Sequence, residues 1–169
     1  SGKGALAALQ EAGFPVQCFD PAKKEDLIAL IDGDFDVAFL CLHGRKGEDG
    51  VIQGFLETIS LPYIGPGVWS SATAINKARS KEFYRLAGVP TAPSMTISSN
   101  DSLDIDSIIA QIGTHVVVKP ATEGSSIGIS IVDTREALER AIAEAFEHDS
   151  ENVVEKFVQG REFTAAVIG

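Results

Sequence analysis

Positive charge is in short supply in this chain. Its 14 lysines and arginines stand against 24 aspartates and glutamates, a formal net charge of −10 at pH 7 over 169 residues. That balance argues against nucleic acid or an acidic membrane as a general partner. Cysteine is scarce too. Cys18 and Cys41 lie in apolar, strand-like runs without metal-ligand spacing, so buried free thiols in a reducing compartment are expected. No run approaches the ~18 apolar residues of a membrane span, and no signal-peptide pattern is present. The cytoplasm is the simplest placement. Internal repeats and low-complexity tracts are also missing. What remains is 44 % hydrophobic and 22 % charged, a globular profile with material for one ordinary domain or two small ones.

With cations so few, a well-placed lysine is informative, and the stretch 116–130 (VVVKPATEGSSIGIS) holds one. Three valines lead into Lys119 and Pro120. A small polar turn of Thr122, Glu123, Gly124, Ser125 and Ser126 follows, and Ile127, Ile129 and Ile131 then alternate with Gly128 and Ser130. The pattern predicts two strands joined by a longer loop. An ammonium at the end of an apolar strand needs an anionic partner. The glycines allow close backbone approach, and the serines add hydroxyls and N–H groups. The set suits an anion with several oxygens, such as a nucleotide phosphate. The plainer alternative is a mobile Gly/Ser hairpin with a surface lysine.

Along the chain, helix and strand alternate with short connections, which points to an open α/β sheet. A helix is predicted over 1–12 with Gly13 as its stop, a short strand over 14–19 and a helix over 24–31. The continuous apolar run 35–42 reads as a parallel strand covered on both faces. Such a unit normally begins with a strand, so residues are expected to precede Ser1. The loop after 35–42 carries His43, Glu48 and Asp49 at a strand's carboxyl end, where open α/β sheets collect ligands. These three are candidates for substrate handling. Alternatively, Glu48 and Asp49 favour the positive end of the helix over 51–59, and His43 caps the strand. An apolar piece at 61–64 precedes helices over 68–75 and 76–87, the second with Asn76 as N-cap and Gly88 as stop. Prolines 90 and 93 mark a linker. Beyond it come a strand over 94–97, a helix over 104–112 and the 116–130 hairpin. A capping box at 133–136 opens a helix to about 148, a strand covers 153–158, and another begins over 163–168. Glu155-Lys156 near a strand end suggests a purine edge read by backbone groups with a cation beside the ring, or else an ordinary surface pair.

Five segments carry a family resemblance: LHGRKGEDGVIQG (42–54), LPYIGPGV (61–68), NKARSK (76–81), VVVKPATEGSSIGIS (116–130) and VVEKFVQGREFT (153–164). In order and spacing, over nearly the whole chain, they resemble the front half of a bacterial D-alanine–D-alanine ligase of the ATP-grasp superfamily. A lone Gly-rich loop would be weak evidence; five motifs in register are strong. The resemblance implies an open parallel-sheet N-terminal (pre-ATP-grasp) α/β domain over 1–76. The α+β first half of an ATP-grasp fold would follow, with a central subdomain over 77–161 and the start of a C-terminal one over 162–169.

The activity implied is ATP-dependent ligation of two D-alanines through an acyl-phosphate, in cytoplasmic peptidoglycan precursor synthesis for cell-wall biogenesis and cell shape. By position, Lys77 and Lys119 resemble the lysines that hold the α- and β-phosphates. The loop of Glu123, Gly124, Ser125, Ser126, Ile127 and Gly128 resembles the flap over the γ-phosphate. Glu155, Lys156 and Val158 match the adenine strand, and Glu162 matches the acid on the ribose hydroxyls. His43 and Ser125 fall where the family contacts its amino-acid substrates. Asn76 replaces the family's usual Asp; both cap a helix, so little consequence is expected. The family's first strand, with a substrate-binding glutamate, is expected before Ser1. Its second lid, oxyanion arginine and Mg²⁺ ligands are expected beyond Gly169, and no metal site is assigned within the chain. A homodimer is expected from the family. The alternatives are a D-alanine–D-lactate type ligase or a non-catalytic nucleotide-binding fragment. Biotin-carboxylase-like ATP-grasp enzymes fit less well, because they carry a glycine run where this chain has Glu123-Gly124-Ser125-Ser126.

Overall fold

The structure is a computed structural model that describes residues 2–124 and 126–166. The chain divides into two compact units, Ser1–Ser80 and Lys81–Gly169.

In the first unit, helices α1 (Gly2–Glu11) and α2 (Lys24–Asp32) precede strand β1 (Ala38–Phe39). Helix α3 (Val51–Thr58), strand β2 (Tyr63–Ile64) and helix α4 (Val68–Ile75) complete it, and β1 pairs with β2 in parallel. Gly13, at φ +85, ends α1 as its sequence position predicts. The core gathers Ile52, Leu56 and Leu61, with Leu27, Leu30, Phe35, Ala38, Leu40 and Leu42 packed against it. Two expectations fail here. No strand forms over 14–19; Phe14 is exposed, and Phe19 instead meets Phe35 edge-on. The run 35–42 yields only a two-residue strand, and it is not covered on both faces. Ala38, Leu40 and Leu42 turn inward while Val37 and Phe39 are exposed. β2 offers only two residues for pairing, and one packed layer buries one side of a pleat. Cys18 is exposed rather than buried, and Cys41 is half-buried.

Helix α5 (Lys77–Leu86) carries the unit boundary. Its N-cap is Asn76, whose Oδ1 accepts from Arg79 N at 3.0 Å. At its other end Val89 N reaches Tyr84 O over a left-handed Gly88, a paired C-terminal stop.

The second unit is a four-stranded antiparallel sheet in the order β3–β6–β4–β5, formed by β3 (Ser94–Ser98), β4 (Val116–Pro120), β5 (Ser130–Val132) and β6 (Glu151–Lys156). Helices α6 (Ile105–Ile112) and α7 (Arg135–Phe146) contribute Ile105, Ile108, Ile112, Leu138, Ala141, Ile142 and Ala145 to one core with Ile97, Val116, Val118 and Val154. Alternation then sends Val117 and Lys119 of β4, and Val153 and Glu155 of β6, to the face away from that core. Asp104 caps α6 through Ser107 N.

Several boundaries move. The cap of α7 is Thr134, which accepts from Ala137 N, so the capping box read at 133–136 is one residue out of phase and Glu136 stands one position short of the reciprocal site. β6 starts at Glu151, two residues early, because Ser98 of β3 already pairs there. It ends at Lys156 rather than 158. The hairpin's second strand begins only at Ser130; Ile127 lies in a turn and is exposed. No strand is present over 161–166, the described part of the last predicted one. Among the described residues no helix is long and apolar enough to cross a membrane.

Candidate functional site

The register of β4 against β6 builds the most highly charged arrangement of the second unit. Glu155 stands opposite Val117, which makes it the diagonal, same-face neighbour of Lys119. The Lys119 ammonium ion-pairs with Glu155 Oε1. The other carboxylate oxygen, Oε2, takes Lys81 Nζ at 3.0 Å. Lys81 in turn donates to Thr91 Oγ1 at 2.7 Å and to the Ala92 carbonyl at 3.0 Å, so its three donors meet three acceptors. The side chains of Lys81 and Glu155 are only 10 % and 14 % exposed, whereas Lys119 keeps 26 %. Burial pushes the Glu155 carboxyl up, but hydrogen bonds from Lys119 and Lys81, with their charges, outweigh it and hold the group below the ordinary glutamate value. Two ammonium groups and one carboxylate leave the cluster with one net positive charge.

Lys119 therefore has an anionic partner inside the chain, which its strand-end position did not specify. Glu155 is likewise not half of a surface pair with Lys156. That lysine is exposed and donates its backbone N–H to the Pro93 carbonyl. Val158 and Glu162 are also exposed, beyond the end of β6.

The loop after β4 is pinned at both ends. Asp149 Oδ2 accepts from Thr122 N at 2.8 Å and from Thr122 Oγ1 at 2.7 Å, while its Oδ1 takes Glu151 N. At the far end Gly128 sits at φ +67, and a Cβ there would come within 2.7 Å of Pro120 and 2.8 Å of His148. No larger residue fits without displacement. Between these anchors Glu123 and Gly124 are half-buried, and Ser126 is exposed in the left-handed region at φ +64. Ser125 lies outside the described residues. Asp149 and Lys81 were missed by sequence reasoning. Asp149 shows no motif, and Lys81 sits in a helix that reads as charged and solvated. An open groove of about 540 Å³ lies elsewhere in this unit, against the 88–95 segment, and neither Lys119 nor Glu155 lines it.

In the first unit the 43–50 loop folds on itself. Glu48 Oε2 accepts from Gly44 N at 2.6 Å, Asp49 Oδ2 accepts from Lys46 N at 2.7 Å, and His43 Nδ1 is 3.8 Å from Glu48 Oε1. Buried Gln53 donates to the Gly47 carbonyl at 3.1 Å. Gly47 must be glycine there, since a Cβ would stand 2.7 Å from Leu42 Cβ. The two carboxylates thus shape the loop, and His43 is presented at its exposed edge. Lys77, half-buried, opens α5 in this unit.

Two family profiles match the chain: "D-ala D-ala ligase N-terminus" over 13–66 and "D-ala D-ala ligase C-terminus" over 83–169. A D-alanine–D-alanine ligase of Syntrophobacter fumaroxidans is 43 % identical over 169 residues, all of this chain and 54 % of that protein. The D-alanine–D-alanine ligase of Bacillus anthracis superposes with a TM-score of 0.82 at 33 % identity, covering 94 % of this chain and 51 % of that one. The same enzyme complexed with ATP gives 0.74 at 36 % identity, over 83 % and 46 %. The chain spans about half the length of the relatives it matches. With both profiles in sequence order and a mixed α/β fold shared with the solved ligases, the chain belongs to the D-alanine–D-alanine ligase family.

Proposed function

We propose that the chain supplies the nucleotide-binding part, and some of the amino-acid site, of an ATP-dependent ligase that joins two D-alanines. The observation that carries the reading is the Lys81–Glu155–Lys119 cluster, with its surplus positive charge, at the head of the Gly/Ser loop. In a chain of net charge −10, a half-buried cation of this kind is where a polyanion is drawn. In this reading Lys77 and Lys119 take oxygens of the α- and β-phosphates. Glu123, Gly124, Ser125 and Ser126 close over the γ-phosphate. Glu155, Lys156 and Val158 border the adenine, Glu162 takes the ribose hydroxyls, and His43 and Ser125 contact the amino acids.

The carboxylate of one D-alanine attacks the γ-phosphorus, the β–γ bridge breaks, and ADP leaves. The amine of the second D-alanine then attacks the acyl-phosphate carbonyl and inorganic phosphate departs. Such chemistry asks a protein for positioning and charge neutralisation, which lysines and backbone N–H groups supply. A closed loop keeps out water that would hydrolyse the acyl-phosphate. Among the described residues no group of three or more His, Cys, Asp or Glu could hold a metal ion. These residues do not fit Mg²⁺, and no step runs through it. The product is expected to serve peptidoglycan precursor synthesis.

The test is phosphate release by the full-length protein given ATP, with and without D-alanine. Release that depends on D-alanine and is lost in Lys119→Ala supports the reading. Release indifferent to D-alanine contradicts it.

A further inference from the structure

The proposed nucleotide site raises a difficulty of charge. Glu155 sits on Lys119, the very lysine meant for phosphate, and a one-to-one pair would present no net charge to an anion. Lys81 changes that balance. It is buried, its ammonium is fully partnered by Glu155 Oε2, Thr91 Oγ1 and the Ala92 carbonyl, and it cannot swing out to meet a ligand without abandoning all three. Lys119 is the more exposed of the two, and Glu155 Oε1 takes one of its three N–H groups.

We propose that Lys81 is a positioning residue for the phosphate site. It holds the Glu155 carboxylate from behind and keeps the cluster one charge positive, which leaves Lys119 available to the nucleotide. The inference rests on the nucleotide reading above and adds to it a residue that touches no substrate. Anchoring on Thr91 and Ala92 also ties the carboxylate to the proline-bounded 89–93 segment, so the position of Glu155 is set by backbone as well as by charge. Without the Lys81 charge, a phosphate must compete with Glu155 for a single ammonium and meets the carboxylate's repulsion unshielded. One unit charge at this range in a partly buried site alters anion affinity by roughly tenfold or more.

The test is calorimetric titration of ADP into four forms of the full-length protein: wild type, Lys81→Gln, Glu155→Gln/Lys81→Gln and Lys81→Arg. Glutamine keeps a donor for Thr91 and Ala92 while removing the charge. Lys81→Gln is expected to weaken ADP at least about tenfold. The double variant, in which Lys119 alone restores one net positive charge, is expected to recover most of the loss, and Lys81→Arg to stay near wild type. A purely structural role would make the double variant bind no better than Lys81→Gln. That result overturns the proposal, as does a Lys81→Gln that binds like wild type. If Lys81→Gln fails to fold, the double variant and Lys81→Arg decide alone: the proposal requires both to stay within a few-fold of wild type. A wild type that binds no ADP overturns instead the nucleotide reading on which the proposal rests.

Discussion

Replacing Glu155 by glutamine keeps the shape of the side chain and removes its charge, leaving Lys81 and Lys119 facing one another across a neutral amide. Removing one member of a buried ion pair typically costs about 3–5 kcal/mol, because the remaining charge is left uncompensated. Two features reduce the figure here. Lys119 is a quarter exposed and can turn toward water, and Lys81 retains Thr91 and Ala92. A loss of about 2–3 kcal/mol for the second unit is therefore expected. Because the chain forms two compact units, a single melting temperature would blend them. Native-state hydrogen exchange at the core amides of Val118 and Val154 reports on opening of the second unit alone. Their exchange should quicken by roughly 30- to 150-fold at pH 7. The folded-state carboxyl is held below its unfolded value, so its contribution is present above the ordinary glutamate range and is lost as pH falls through the lowered value. The gap between wild type and Glu155→Gln must then narrow on acidification. A variant as stable as wild type at pH 7, or a gap that does not change with pH, would refute the reasoning.

Two further outcomes follow from the ends of the Gly/Ser loop. Gly128→Ala places a methyl against Pro120 and His148 in a left-handed backbone, and should destabilise the second unit by about 1–3 kcal/mol, read by the same exchange experiment; an unchanged rate would contradict the contact geometry. Asp149→Ala strips Thr122 of the carboxylate that takes both its N–H and its hydroxyl, at a cost of about 1.5–3 kcal/mol. Faster exchange at Thr122 and Glu151 should show it, whereas protection equal to wild type would mean that the loop is held by other contacts.

Much of the local structure was legible in the residues. Helix α4 falls where its pattern puts it, Asn76 caps α5, and Gly88 stops it, because caps and stops depend on neighbours within one turn. The same locality explains the slip at α7, where Asp133 and Thr134 are both good caps and only the register of the helix against β4 chooses between them. Strands fared worse. Whether 14–19 or 35–42 forms a strand depends on a partner far along the chain, and apolar composition does not say how many partners are present. The candidate site divides in the same way. That Lys119 needed an anion could be read from VVVKP alone. That Glu155 supplies one depends on an antiparallel register joining residues 36 positions apart, and on which face each side chain takes. Lys81 was hidden more deeply, since nothing in NKARSKEFYRLA distinguishes a buried lysine from its solvated neighbours.

The central claim is that the Lys119 end of β4 is a phosphate site, and ADP titration into the full-length protein tests it most directly. A charge-assisted hydrogen bond to a phosphate oxygen contributes about 1.5–3 kcal/mol. Lys119→Ala should therefore bind ADP roughly 10- to 150-fold more weakly than wild type. Adenosine, which lacks the phosphates, should bind both proteins alike. Equal ADP affinities would contradict the account and leave Lys119 as the structural partner of Glu155.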